Sequence, residues 1–245
     1  MVFEGEYLNG KRIGKGKEYH DKLDLLFEGE YLNGRRNGKG KEYDYPDGKL
    51  TFEGEYLNGE RWNGKVKKYN FLNGELIFEG DYLNGERNGQ GKEYFIDGHL
   101  TSEGENLQFE GEYKYDKRWN GRGAEYYGKD NLAFEGEYKD GKRNGVGREY
   151  YNYKLIFDGT YLNGERWNGK INEYYDNYYG KINLKFKGEY INGKKKGTEY
   201  YRNGMIKFEG EYLNERRNGK GKEYNINGCV EFEGEYLNGE RKKNK

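Results

Sequence analysis

The sequence predicts an all-β fold, an elongated, twisted antiparallel sheet of stacked β-hairpins. Three observations lead there. The stretch Phe52-Glu53-Gly54-Glu55-Tyr56-Leu57-Asn58-Gly59 has close copies beginning at Phe3, Phe27, Phe52, Phe78, Phe109, Phe134, Phe157, Phe186, Phe208 and Phe232. Their starts lie 22 to 31 residues apart, a spacing that marks a repeat array. Each of the first nine copies is followed by a second run, such as Gly14-Lys15-Gly16-Lys17-Glu18-Tyr19, and both runs alternate in character as strands do. Between them lies Asn-Gly, a turn dipeptide. One unit is therefore one hairpin, and residues 1–245 read as a single repeat domain of ten units, the last incomplete.

In the first strand the third residue is Gly and the fifth is Tyr in every copy, from Gly5 and Tyr7 to Gly234 and Tyr236. Pairing the strands with Tyr7 opposite Gly14, Gly5 opposite Gly16 and Phe3 opposite Glu18 puts the aromatics and glycines on one face. Glu4 then faces Lys17 and Glu6 faces Lys15 on the other, as opposite-charge pairs. Glycine weakens a strand unless another group needs its space, so rings are expected to lie over bare backbone. Glu18 fits this face least well, at its margin or accepting a bond from a Tyr hydroxyl. The loop between the strands spans about six residues, Leu8 to Ile13, longer than the tightest hairpin turns.

The connections to the next unit vary, with turns marked by Gly48, Gly74, Gly98, Gly180, Gly204 and Gly228. The tryptophans, Trp62, Trp119 and Trp167, each sit in Arg-Trp-Asn-Gly and read as insertions into the loop. Ser102 to Asn106 is a copy of the motif without its aromatics, and residues 102–108 read as a bulged-out loop. The unit at Phe186 is short in its second half, Lys196 to Tyr200. Ten first strands and nine second strands make about 19. An uncapped array end invites pairing with another chain, so end-to-end self-association is expected, opposed in part by Lys242, Lys243 and Lys245.

Leu, Ile, Val and Phe make up under a fifth of the chain, a fraction that alone suggests disorder. Zero net charge and 28 Tyr, 12 Phe and 3 Trp at regular positions oppose that reading, because each aromatic buries about 150–250 Å². The 41 Gly with a single Pro exclude a collagen or proline-rich chain. One cysteine, Cys229, permits no internal disulfide and no Cys-based metal site. Without an apolar N-terminal run, no leader and no membrane span are expected. The localisation that follows is intracellular and cytoplasmic, or membrane-peripheral.

Candidate chemistry is sparse. His20 and His99 lie in connections of different units with no recurring nucleophile or acid beside them. The acid pairs such as Glu4 and Glu6 recur with Lys opposite, as a solvated charged face does. Gly14-Lys15-Gly16 lacks the helix that would complete a phosphate loop. No catalytic, cofactor or metal residue is assigned, and an enzyme is not expected. A neutral chain with Glu rows does not suit nucleic acid. One feature remains. The residue nine after each Phe is Arg12, Arg36, Arg61, Arg87, Arg118, Arg143, Arg166, Lys195, Arg217 and Arg241. Stacked hairpins would repeat this loop position every ~9.5 Å along one edge. Structurally, each Arg would stack on an aromatic or bond loop carbonyls. Functionally, the edge would be a cationic ladder for an acidic partner or for lipid headgroups.

The pattern Phe-Glu-Gly-Glu-Tyr-Leu-Asn-Gly-x-Arg-x-Gly-x-Gly resembles the MORN (membrane occupation and recognition nexus) repeat over almost the whole chain. That resemblance implies stacked antiparallel hairpins and a scaffold or protein-interaction role. For some members it implies binding of phospholipid or phosphoinositide. Tyr or Phe stands here where many members carry Trp. The expected function is a non-enzymatic scaffold for a protein partner of unknown identity. The alternative is a peripheral binder of anionic lipid, and the Glu residues between the ladder cations rank it second.

Overall fold

Asn9 and Gly10 both hold positive φ, 50° and 74°. A two-residue type I′ hairpin turn requires such a pair, and Asn-Gly adopts it at the least cost. Asn33-Gly34, Asn58-Gly59, Asn84-Gly85, Asn163-Gly164, Asn192-Gly193 and Asn238-Gly239 do the same. The hairpins are thus tighter than the sequence suggested. The expected six-residue loop is two residues long, and residues such as Lys11 and Arg12 already belong to the second strand.

The computed structural model describes residues 1–21, 23–96, 107–128, 131–175 and 183–242, which form strands and turns and no helix. The chain falls into two units, Met1–Gly123 and Ala124–Lys245. The first carries β1 (Val2–Leu8), β2 (Lys11–Tyr19), β3 (Leu25–Leu32), β4 (Arg35–Tyr43), β5 (Leu50–Leu57), β6 (Glu60–Tyr69), β7 (Leu76–Leu83), β8 (Glu86–Tyr94), β9 (Leu107–Lys114) and most of β10 (Lys117–Tyr127). Each strand pairs antiparallel with the next in sequence. The second unit has the same order in β11 (Asn131–Lys139), β12 (Lys142–Tyr151), β13 (Lys154–Leu162), β14 (Glu165–Tyr174), β15 (Leu184–Ile191), β16 (Lys194–Tyr200), β17 (Ile206–Leu213), β18 (Arg216–Tyr224), β19 (Val230–Leu237) and β20 (Glu240–Arg241). The last unit therefore does have a second strand, of two residues. Ser102 to Asn106, His99, Gly98, Gly180, Lys243 and Lys245 lie outside the described residues, and Leu107 and Gln108 of the expected loop already open β9.

The register holds at one end of the hairpin and shifts at the other. Gly5 faces Gly16, Phe3 faces Glu18 and Glu4 faces Lys17, as the sequence suggested. Tyr7 faces Arg12 rather than Gly14, and Glu6 faces Ile13 rather than Lys15. A β-bulge intervenes. In β3 and β4, Gly29 faces Gly40 and Tyr31 faces Arg36, leaving Asn37, Gly38 and Lys39 against Glu30 alone. Gly38 supplies the bulge's positive φ of 98°, and the Glu30 carboxylate accepts the Lys39 N–H at 3.2 Å. On its other side Gly38 faces Tyr56 of the next hairpin, and Lys39 faces Glu55.

The tryptophan units have a shorter bulge. Tyr56 faces Arg61, Glu55 faces Asn63 and Gly54 faces Gly64, so Trp62 alone is unpaired. Trp62, Trp119 and Trp167 lie within β6, β10 and β14, which corrects their expected place as loop insertions. The hairpin at Phe186 has no bulge, consistent with its short second strand.

Aromatic rings fill the face that the glycines open. A β-carbon on Gly16 would lie 2.5 Å from the Phe3 ring, and one on Gly40 2.6 Å from the Phe27 ring. The ring needing the space is the hairpin's own Phe. Its other contacts are edge-on: Phe27 meets Tyr31 at 5.6 Å and Tyr56 of the next hairpin at 5.0 Å, both nearly perpendicular. Repeated along the sheet, Phe–Tyr contacts make a one-sided core in which Phe27, Phe52, Phe109, Phe134, Phe157 and Phe208 are fully buried. Stitching between hairpins comes from the turns. The Gly59 N–H donates to the Arg36 carbonyl at 2.9 Å, and the Asn58 N–H donates to the Asn37 side chain at 3.2 Å.

Candidate functional site: the arginine ladder and the polar trough

The second position of each second strand points onto the aromatic face and carries the ladder cation. All ten of these cations, from Arg12 to Arg241, sit over the Phe of their own hairpin at 4.1 to 5.3 Å from the ring centroid. They lie in strands, not loops. Their charge is taken up by the Glu of the Glu-Tyr pair near the end of the second strand, the residue that looks out of place on this face. Glu42 accepts from Arg61 Nε at 2.8 Å and from the Tyr56 hydroxyl at 2.8 Å. Glu149 does the same with Arg166 at 2.9 Å and Tyr161 at 3.0 Å. Glu93 takes Arg118 at 2.9 Å and Tyr113 at 3.2 Å, and Glu125 takes Arg143 at 3.1 Å and Tyr138 at 2.5 Å. Glu18 accepts from both Arg12 and Arg36. Arg217 bridges Glu199 and Glu223 at 2.9 and 2.6 Å, Arg241 reaches Glu223 at 2.9 Å, and Lys195 meets Glu173 at 2.5 Å.

The electrostatics follow from this geometry. Burial pushes the Glu42 carboxyl up, but the hydrogen bonds from Arg61 and Tyr56 outweigh it and leave it below the usual carboxylate range. Burial likewise opposes the bonds that Arg217, Arg241 and Tyr236 make to Glu223, which is held at about 2. Burial and the facing carboxylate push Tyr56, Tyr113 and Tyr161 well above the ordinary phenol value.

Two ladder partners were not legible in the repeat. The turns at Tyr115-Asp116 and Asn214-Glu215 lack glycine, and the acid at their second position reaches back to the preceding hairpin. Arg87 N–H and Nη2 donate to Asp116 side-chain and backbone oxygens at 3.0 and 2.9 Å, and Lys195 Nζ donates to Glu215 at 2.8 Å. The signal was the missing Gly of the Asn-Gly turn. His20 is an exposed turn histidine stacked on Tyr45 at 4.1 Å, and Cys229 is exposed.

The opposite face is polar. In the first unit an open trough of about 700 Å³ runs across β1 to β5, with the backbone of Gly5, Gly16, Gly29, Gly40 and Gly54 as its floor. Two charged rows flank it. In one, Glu4, Lys17, Glu28, Lys41 and Glu53 alternate in sign, with Lys41 to Glu53 at 3.1 Å and Lys17 to Glu28 at 3.7 Å. Tyr19 and Tyr43 hydroxyls donate to Glu4 and Glu28 at 3.2 and 3.0 Å and steady that row. In the other, Glu30 and Glu55 alternate with Lys15 and Lys39. A smaller trough of about 300 Å³ continues this pattern between Lys65 and Glu110.

The MORN repeat family model matches residues 3–22, 27–49, 78–100, 134–152 and 208–230. The chain is a MORN-repeat protein. The matched MORN units are those at Phe3, Phe27, Phe78, Phe134 and Phe208, each with the long bulge. The units passed over are the three with a Trp-shortened bulge, the bulge-free one at Phe186 and the last. No curated protein matches the chain. No helix among the described residues is long and apolar enough to cross a membrane.

Proposed function

We propose that this MORN-repeat protein is a non-enzymatic scaffold, an interaction module that takes up a partner polypeptide along its polar trough. The observation carrying the reading is the trough itself. Its floor is bare glycine backbone, so a partner chain can approach closely. Its rims present both signs of charge on half-exposed side chains such as Lys17, Lys41 and Glu53, which suits an extended segment of mixed charge. The ladder carboxylates, which would be candidates for acid–base work, are instead spent on guanidinium and phenol partners.

Lys17→Glu with Lys41→Glu tests the reading. Both side chains reach into solvent, so the double variant is expected to melt within a few degrees of the parent and to lose the partner that the parent captures. Equal capture by the two proteins would reject the trough. Lipid binding ranks second because the ladder cations already have carboxylate and ring partners. Co-sedimentation is expected to be no greater with phosphoinositide vesicles than with neutral ones. Sedimentation with the anionic vesicles alone would replace the scaffold reading by the lipid one.

A further inference from the structure

The ladder is broken at one rung. At the position where eight of the nine second strands in the series from Glu18 to Glu223 carry glutamate, β6 carries Lys68. The register is unchanged, because Lys68 faces Phe78 as Glu42 faces Phe52. A cation therefore stands where a carboxylate would accept from the next hairpin's Tyr and Arg. The residues beside this rung differ as well. The Tyr82 hydroxyl donates to nothing among the described residues, whereas Tyr56 and Tyr113 each bond a rung glutamate. The Tyr82 ring lies 6.4 Å from Phe52, against 5.9 Å between Phe157 and Tyr190 in another Trp hairpin and 5.0 Å between Phe27 and Tyr56. Arg87 does not reach back to this rung. Its Nε and Nη1 turn forward to Asp116 and Glu93, both at 3.3 Å, longer than the 2.7–2.9 Å usual for charge-assisted bonds. Lys68 is exposed and makes no ion pair among the described residues.

At this rung the aromatic face opens into a cavity of about 1200 Å³, lined by Arg61, Lys68, Tyr82 and Arg87 and by the loop residues Phe71 and Leu72. The acids that share the lining are already engaged. Asp44 accepts the Lys49 N–H, Asp47 pairs with Lys49, and Glu93 and Asp116 hold Arg87 and Arg118. Phe71 and Leu72 are 92% and 79% exposed, and they present an apolar rim beside the unmatched positive charge.

We infer that this cavity is a second binding site, on the face opposite the trough, for a glutamate-bearing peptide segment of a partner protein. The incoming carboxylate takes the place of the missing rung. It accepts from the Tyr82 hydroxyl and lies against the Lys68 ammonium, the one cation of the lining with no carboxylate partner among the described residues. A lone carboxylate would leave most of the volume and the Phe71–Leu72 rim unused, so the segment carries an apolar residue beside its acid. The inference rests on the interaction-module reading for the class of partner, and on a separate set of residues for the site.

The test is fluorescence anisotropy of the full chain with a labelled synthetic peptide of alternating Glu and Leu, and with its Gln–Leu counterpart. The parent is expected to bind the acidic peptide in preference. Lys68→Glu supplies the rung from within, and is expected to weaken binding at least tenfold while raising Tm. Tyr82→Phe, which removes only the hydroxyl, is expected to weaken binding several-fold with an unchanged fold. Lys170→Glu, an equal charge change elsewhere, and the trough variant Lys17→Glu/Lys41→Glu are expected to bind as the parent does. Undiminished binding by Lys68→Glu, or equal binding of the Gln–Leu peptide, would overturn the site. Loss of binding in the trough variant would place the peptide in the trough and also overturn it.

Discussion

A β-carbon on Gly111 would lie 2.1 Å from the Asn120 carbonyl oxygen and 2.6 Å from the Gly121 Cα, at a φ of 155°. The next residue, Glu112, carries its side chain to the polar face and accepts one bond from Asn120 Nδ2 at 2.7 Å. Gly111→Val is therefore expected to cost about 3 kcal/mol or more through overpacking. Glu112→Val should cost about 1 kcal/mol through one lost bond. Thermal melts of the two variants check this, and equal shifts would reject the assignment of faces. At this scale much was legible, because the Gly and Tyr positions recur without exception and alternation decides their face. Glu18 was less so. On an aromatic face a carboxylate looks misplaced until the cation nine residues after each Phe is brought over the ring beside it. That cation was placed in a loop, so its guanidinium could not be matched to the acid.

The hairpin's length and its bulge are set by two Asn-Gly pairs that do different work. Asn33-Gly34 is the type I′ turn, while Asn37-Gly38 lies in the second strand and makes the bulge. Turn dipeptides counted without their pairing merge the two into one long loop, which explains the error in the expected register beyond Gly5. Asn37 and its counterparts also serve the next hairpin. Asn218 Oδ1 accepts the Asn238 N–H at 3.2 Å, so Asn218→Ala is expected to cost about 1 kcal/mol and to speed hydrogen exchange at Asn238. Unchanged exchange there would show that the bond does not hold the turn. At the bulge itself, a β-carbon on Gly145 would lie within bonding distance of a Glu137 carboxylate oxygen at a φ of 82°. Gly145→Ala is expected to lower stability by about 1–3 kcal/mol. Gly48 should tolerate the same change better for space, since nothing lies within 4 Å of its β-carbon. Tm values of the two variants make the comparison.

Over the whole molecule, the rungs tie stability to pH at both extremes. Glu42, Glu199, Glu215 and Glu223 hold their protons less tightly when folded than their ordinary value near 4.5. Their contribution is full above that value and is lost as pH falls through the folded ones, about 2 for Glu223. Tyr56, Tyr113 and Tyr161 hold their protons more tightly than the ordinary value of 10.0, as does Tyr224, pushed up to about 12 by its bond to Glu209. Their contribution is full below 10.0 and is lost as pH rises through the folded values. In alkali, the part of the tyrosinate absorbance that belongs to the ladder tyrosines is expected to rise in one step with the loss of β circular dichroism. Titration of all the tyrosines near 10.0 with the β signal intact would contradict the ladder.

The ladder as the fold's own scaffolding is the central claim, and its most direct test is the thermal melt of the chain carrying Arg36→Glu, Arg61→Glu and Arg87→Glu. Each reversal removes a cation from a Phe ring and sets a carboxylate against rung or turn acids such as Glu42, Glu93 and Asp116. Breaking such a pair should cost about 2 kcal/mol at these part-exposed sites. The account predicts a Tm lower by more than about 10 °C, or loss of the β signal altogether. A variant that melts with the parent would show the arginines to be free for a partner, and would return the binding edge to the ladder.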